Sequence, residues 1–211
     1  MTTKITFIAL AAAAATLSAC GGGGTSVNTA PTYLDLVTRA EAASAGIIDL
    51  QSGTITGTER TDLPDSGTAT YSGYVGGDVQ GGRLIGELSL TASLASGDSG
   101  TVTGSATNFQ HENNGAYTGT LQMTNGAIHP GGTTSDPDTF TGDLTGDLVN
   151  GGTTYDTNLG LDGSFFGGDD GDPTVPTDPT LPTAVAGIVD GALTETGVGT
   201  DFLTGAFVAT Q

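Results

Sequence analysis

Residues 84–94 read Leu84-Ile85-Gly86-Glu87-Leu88-Ser89-Leu90-Thr91-Ala92-Ser93-Leu94. The even positions of this stretch are all apolar residues or glycine, whereas every odd position from 87 to 93 is polar. Residues 139–148 repeat the rhythm, with threonine and aspartate alternating with Phe140, Gly142, Leu144, Gly146 and Leu148. Successive side chains of a β-strand point to opposite faces of its sheet. This period of two therefore predicts strands with one face in a core and the other in water.

The same rhythm continues outward from these two segments, and turn-forming residues separate the runs. Glycine, asparagine, aspartate and serine cluster at 96–100, 112–115 and 150–152, where hairpin turns need residues that tolerate positive φ. Residues 47–57 form a ninth, weaker strand candidate. The stronger runs predict eight strands, at 67–76, 82–95, 100–109, 115–124, 138–149, 153–166, 184–193 and 201–210.

Eight consecutive strands with short connections are expected to lie antiparallel beside one another. A sheet with one apolar face can close on itself, and closure removes its exposed edges. Glycines on the inward phase, such as Gly86, Gly142 and Gly146, suit a narrow interior. We therefore predict an all-β fold, an eight-stranded antiparallel up-and-down β-barrel. A two-sheet sandwich uses the same pattern and is the alternative.

The first twenty residues have the features of a bacterial export signal. Lys4 precedes a mostly apolar stretch at 5–17, and these 13 residues are too few to span a bilayer as a permanent helix. The segment Leu17-Ser18-Ala19-Cys20 resembles the bacterial lipobox, and Cys20 is the only cysteine of the chain. The resemblance implies cleavage before Cys20 and its lipidation with diacylglycerol and palmitate-type chains. Gly21, and not an aspartate, follows the cysteine. This resembles the enterobacterial pattern for sorting to the outer membrane.

These patterns divide the chain into four segments. Residues 1–19 are predicted to be the lipoprotein signal peptide. Residues 20–32 are predicted to be a flexible tether, because four glycines follow the cysteine. Residues 33–62 hold an N-terminal extension with one short helix, expected at 33–45 from its helix-forming residues and the glycine that follows. Residues 63–211 form the predicted barrel domain.

The chain is strongly acidic, with four Lys and Arg residues against 23 Asp and Glu and a formal net charge of −19. Lys4 lies in the predicted signal peptide, and no Lys or Arg follows Arg83. Nucleic-acid binding needs clustered cations, so the composition excludes most such functions. Electrostatic docking on anionic lipid is also disfavoured, which leaves the lipid as the membrane anchor. The aspartates are expected to keep the surface soluble, although they would also attract a cationic partner.

Five segments of the predicted barrel share their order and spacing with a known family: 63–73, 104–109, 160–167, 186–191 and 203–209. They resemble the first strand, second hairpin, late strand and last two strands of the transferrin-binding protein B-like surface lipoproteins, which include factor H-binding-like proteins. This resemblance implies an eight-stranded barrel, a lipid anchor and display on or near the outer membrane. Those receptors are larger, usually two-lobed and richer in lysine, so their transferrin specificity does not carry over.

Candidate metal ligands are few. The chain has only two histidines, His111 and His129, and no cysteine besides Cys20, so a histidine–cysteine zinc site is not available. Both histidines are predicted to be exposed loop residues. The acidic, proline-rich loop at 167–182 is predicted to be solvated, although its clustered aspartates would also suit Ca²⁺, namely Asp169, Asp170 and Asp172. We predict no metal site and no cofactor.

The sequence offers little support for catalysis. No Gly-x-Ser-x-Gly elbow accompanies the histidines. Asp143 and Asp147 fall on the polar face of a predicted strand, in contact with water. The carboxylates nearest to a catalytic pair are predicted to be surface charge: Asp136, Asp138, Asp143 and Asp147. We therefore predict that the chain is not an enzyme.

The patterns favour a binding module that is anchored to the outer membrane by lipid and displayed at the cell surface, with the periplasmic face as the other location. Its ligand would be a host or environmental protein, or an iron- or haem-related solute. A structural or adhesive surface lipoprotein without a small-molecule ligand is the alternative. An integral outer-membrane barrel is disfavoured, because its outward face would be apolar with aromatic girdles, whereas the polar faces here carry Thr, Ser and Asp.

Overall fold

The computed structural model describes residues 30–97, 99–133, 135–168 and 180–211. Cys20 and the predicted signal peptide lie outside these residues. Within the described ranges the chain forms one helix and eleven strands: α1 Tyr33–Ser44, β1 Ile48–Asp49, β2 Thr54–Ile55, β3 Ser66–Val79, β4 Gly82–Ala95, β5 Ser99–His111, β6 Gly115–Gly119, β7 Leu121–His129, β8 Thr139–Asn150, β9 Thr153–Phe166, β10 Ala184–Glu195 and β11 Gly199–Thr210.

The strands from β3 to β11 form one antiparallel sheet that closes into a barrel-like ring. Their order is β4-β3-β11-β10-β9-β8-β6-β5-β7, and pairings of β4 with β5 and of β7 with β8 close it. The short strands β6 and β7 follow one another along the chain, and both pair with β5 and β8. Together they therefore occupy one of the eight strand positions of the ring. The predicted all-β, eight-stranded antiparallel fold is confirmed, and the alternative sandwich does not form.

The strand predicted at 115–124 is longer than expected and is interrupted. Strand β6 ends at Gly119, whose φ is +135°, and a Cβ at this position would lie 2.2 Å from the carbonyl oxygen of Asp147. Only glycine allows this close approach of two backbones.

The prediction of one strand at 47–57 is wrong, because the chain reverses there into a small hairpin of β1 and β2. The Asp49 side chain accepts hydrogen bonds from the backbone N–H groups of Gln51, at 2.9 Å, and Ser52, at 3.0 Å. Such side-chain bonds stabilise a turn, and Gly53 follows with a φ of +67°. This local turn competes successfully with an extended strand.

The interior of the ring is a packed core. The rings of Phe165 and Phe207 lie with their centroids 5.4 and 5.7 Å from that of Phe140, in tilted and edge-on contact. The inward glycine Gly86 has its predicted role, because a Cβ there would lie 2.6 Å from the ring of Phe109. Glycine therefore makes room for an aromatic ring inside a narrow sheet.

Part of the outer face is also covered, which the alternation did not predict. The N-terminal extension, residues 33–62, lies across this face. Ile48 packs against outward residues of β10 and β11, among them Ala206 and Val208, and α1 packs against Ile85 of β4. Consecutive residues of these strands are therefore buried on both faces. Among the described residues, no helix has the length and hydropathy that a membrane crossing requires.

Candidate functional site

Helix α1 begins at a well-formed capping box. The Asp35 backbone N–H donates to the Thr32 hydroxyl at 3.2 Å, and the Thr32 N–H donates to the Asp35 carboxylate at 3.1 Å. These two bonds satisfy N–H groups that have no partner inside the helix. The bonds from Thr32 also hold the pKa of Asp35 below its ordinary value. The cap sets the helix register, and this register directs Leu36, Ala40 and Ser44 toward the sheet.

The helix and the β1–β2 hairpin rest on the outer face of the sheet through two neighbouring hydrophobic clusters, and the helix packs against both. Leu36 and Ala40 contact Ile85 on the outer face of β4, while Ile48 contacts the outer face of β10 and β11. Strand β3 runs between these contacts, and its outward residue Gly76 is flanked by Ile85 and Ala206. The outer surface of the sheet beneath the N-terminal extension therefore has a depression at Gly76, because glycine has no side chain.

A cavity of about 360 Å³ lies between the N-terminal extension and the outer face of the sheet, and we call it the N-terminal groove. Small residues, Gly76 and Ala206, form its floor, and Val37 and Leu50 line its walls. A side chain cannot fill the floor from β3, because a Cβ on Gly76 would lie 2.4 Å from the carbonyl oxygen of Leu84. Small-molecule sites usually occupy roughly 300–1,000 Å³, so the groove is large enough for a small ligand.

The rim of the groove is acidic. Glu41, Asp49 and Asp78 line it together with one cation, Arg83. The Arg83 Nε donates to the Asp78 carboxylate at 2.7 Å, and this bond raises the pKa of Arg83. Burial raises the pKa of Tyr33, which also lines the groove, and the negative charges of Glu112 and Asp78 raise it further against the opposing effect of Arg83. Three carboxylates against one guanidinium among the lining residues make the rim negative.

His111 is not an exposed loop residue, so that prediction is wrong. It ends β5 with its side chain 2% exposed, beside Tyr117. Its Nδ1 accepts hydrogen bonds from the backbone N–H groups of Asn113, at 3.0 Å, and Asn114, at 3.1 Å. The proton of the neutral ring therefore lies on Nε2, and neither nitrogen offers a free lone pair to a metal. The residue instead shapes the β5–β6 turn.

The second histidine, His129, is exposed but ends strand β7. Its Nε2 lies 2.9 Å from the Thr141 hydroxyl on the outer face of β8. Nothing buries this pair in a cleft, since both side chains are exposed. We find no arrangement here that would activate the threonine as a nucleophile.

Three of the four candidate carboxylates are on the surface, as predicted. Asp136 and Asp147 are exposed, and Asp143 is half-buried, where it accepts a bond from Asn125. The prediction is wrong for Asp138, which is 1% exposed. Its carboxylate accepts a hydrogen bond from Gly131 N–H at 2.8 Å, so it closes the loop before β8. The four residues form no catalytic pair.

The remaining predicted site residues lie outside the described part of the chain. These are the lipidation site Cys20 and the calcium candidates Asp169, Asp170 and Asp172. Among the residues that are described, no group of three or more His, Cys, Asp and Glu side chains could hold a metal ion.

Sequence reasoning missed the groove because it assigned each strand one buried face. The unbroken apolar runs at 184–186 and 206–209 were the available signal, since strands covered on both faces lose the polar alternation. Those runs predict that something covers the outside of β10 and β11. They do not say that the covering segment is the N-terminal extension.

No protein-family model, curated protein or solved structure matches this chain.

Proposed function

We propose that this chain is a lipid-anchored binding module of the bacterial outer membrane, and that its ligand site is the N-terminal groove. The groove carries the proposal: it combines a volume of about 360 Å³, apolar walls and a small number of charged groups at the rim. The barrel serves as a rigid support, because aromatic side chains fill its interior. The module binds and does not catalyse.

The position of the groove in the chain suits an anchored receptor. Cys20, the proposed lipidation site, precedes the first residue of α1 by 13 positions. A chain of this length spans at most about 45 Å, so lipid on Cys20 would keep the groove near the membrane. Display at the cell surface and the family resemblance to transferrin-binding protein B-like lipoproteins belong to the same proposal.

The anchor is tested by mass spectrometry of the chain purified from bacterial membranes. We expect cleavage before Cys20 and the added mass of diacylglycerol and an acyl chain. A Cys20→Ser variant carries neither. An unmodified thiol at Cys20 in the membrane-purified protein would contradict lipid anchoring.

Binding is tested with the mature chain, residues 20–211, carrying Cys20→Ser and exported by an ordinary secretory leader. This protein is incubated with an extract of small molecules from culture medium and examined by native mass spectrometry. We expect a saturable adduct that Val37→Trp abolishes, because the indole would fill the groove. Thr38→Trp, on the exposed side of the same helix, should keep the adduct. An adduct that survives Val37→Trp, or no saturable adduct at all, would contradict the proposal.

A further inference from the structure

The N-terminal groove has an apolar body and a negative mouth, and these two properties together specify a class of ligand. We infer that the groove takes a small cationic amphiphile, a molecule with a short hydrocarbon or aromatic body and one ammonium group. This inference rests on the proposed function, because it names the ligand class of that same site.

The apolar part of the ligand would contact the interior of the groove. Val37, Ile48, Leu50 and Ile85 contribute hydrocarbon side chains, and the floor of Gly76 and Ala206 contributes no charge. Such a surface binds by removing apolar area from water. Each added carbon of a hydrocarbon chain should therefore tighten binding about fourfold until the groove is full, the factor that corresponds to roughly 0.8 kcal/mol per CH₂.

The charged part would lie at the rim. Glu41 and Asp49 are exposed carboxylates without a salt bridge to any described residue. Among the described residues, Arg83 is the only cation that lines the groove, and it already donates to Asp78 at 2.7 Å. An anionic ligand would have to displace Asp78 and would face the remaining carboxylates. An ammonium group would instead meet Glu41 and Asp49, of which Asp49 also accepts two backbone hydrogen bonds.

Two aromatic residues add to this preference. The rings of Tyr33 and Tyr74 both line the groove, and aromatic faces attract ammonium groups. The ring strands beneath the groove are paired on both sides, so they offer no free edge to which an extended peptide could add as a strand.

The test is calorimetric titration of the mature Cys20→Ser chain with four probes at low ionic strength. The probes are octyltrimethylammonium, octanoate, 1-octanol and tetramethylammonium, all below any micelle concentration. We expect octyltrimethylammonium to bind at least tenfold more tightly than octanoate and more tightly than 1-octanol, while tetramethylammonium gives no saturable heat. Added salt should weaken the binding of the cation and leave that of 1-octanol unchanged.

Two pairs of variants locate the binding. The double variant Glu41→Gln with Asp49→Asn should weaken the binding of octyltrimethylammonium about three- to tenfold. The expected loss is no larger because each exposed ion pair contributes little. Asp147→Asn with Asp156→Asn removes the same charge from exposed positions of β8 and β9 and should change binding less than twofold. Val37→Trp should abolish binding, whereas Thr38→Trp should not.

The outcomes separate the ligand class from the function. If octanoate or 1-octanol binds as tightly as the ammonium probe and Val37→Trp abolishes this, the inference is overturned and the binding function stands. If the ammonium probe binds equally to the Val37→Trp variant, it is only paired with the acidic surface, and the inference is also overturned. If no probe binds, the inference fails, and the extract experiment decides the proposed function independently.

Discussion

Arg60 should be the most sensitive polar residue of the fold. Its side chain is 2% exposed. One Nη donates to the carbonyl oxygens of Gly167, at 2.9 Å, and Thr180, at 3.1 Å, and the other donates to that of Asp62, at 2.7 Å. Gly167 and Thr180 lie on the two sides of residues 169–179. One guanidinium therefore joins the N-terminal extension to both flanks of the segment between β9 and β10.

We predict that Arg60→Met lowers the free energy of unfolding by about 3–5 kcal/mol. Methionine keeps the apolar stem of the side chain but removes the hydrogen bonds to the carbonyls of Asp62, Gly167 and Thr180. A hydrogen bond from a charged donor contributes roughly 1.5–3 kcal/mol, and part of this loss is recovered where water reaches the carbonyls. For a chain of this size the change corresponds to a fall in Tm of about 10 °C. The free energy of unfolding of Arg60→Lys should lie between those of the parent chain and Arg60→Met, because an ammonium group cannot reproduce the planar fork of the guanidinium.

The measurement is urea unfolding of the mature Cys20→Ser chain followed by far-ultraviolet circular dichroism. Arg39→Met is the matched control: Arg39 is 57% exposed and lies 3.9 Å from Glu87. An exposed pair of this kind contributes at most about 1 kcal/mol. The reasoning is refuted if Arg60→Met unfolds within 1 kcal/mol of the parent chain, or if the control is destabilised as strongly.

Three further changes test the packing. Leu36→Ala should cost about 2–3 kcal/mol locally and speed hydrogen exchange in α1 while the barrel strands stay protected; unchanged exchange would show that α1 does not depend on this contact. Gly86→Ala should lower the free energy of unfolding in urea by about 1–3 kcal/mol, because the added Cβ meets the ring of Phe109. The control Gly199→Ala should be neutral, since nothing lies within 4 Å of a Cβ at that position. Equal effects of the two substitutions would argue against a packing role for Gly86. Burial raises the pKa of Tyr71, so its stabilising contribution is complete below about pH 10 and is lost as the pH rises further. Tyr71→Phe should therefore lose less stability between pH 9 and 11 than the parent chain, and parallel losses would contradict this.

The ring could be predicted from the sequence because its determinants are local. Alternation of apolar and polar residues is a property of neighbouring positions, and a closed up-and-down sheet requires only that each strand pair with the next. Strands β4 and β9 accordingly span the predicted residues 82–95 and 153–166. The helix was predictable for the same reason, because its helix-forming residues and the glycine that follows them are close together in the chain.

The candidate site could not be predicted in this way. The groove depends on Gly76, Ile85 and Ala206 lying side by side on three strands, and on an extension far away in the sequence lying across them. His111 and Asp138 were misjudged for a related reason. A histidine near a turn and a carboxylate are exposed on average, but each of these two side chains is buried where it accepts hydrogen bonds from backbone N–H groups.

The sequence by itself determined the period of the strands, the positions of the turns, the helix register and the acidity of the surface, because each of these follows from residues close together in the chain. Only the tertiary structure decided which face of β10 and β11 the N-terminal extension covers, which carboxylates meet at one rim, and that three carbonyls converge on Arg60. Those are contacts between distant segments. They form because burial rewards any complementary surface that the closed ring presents, and a linear pattern does not specify which surfaces will meet.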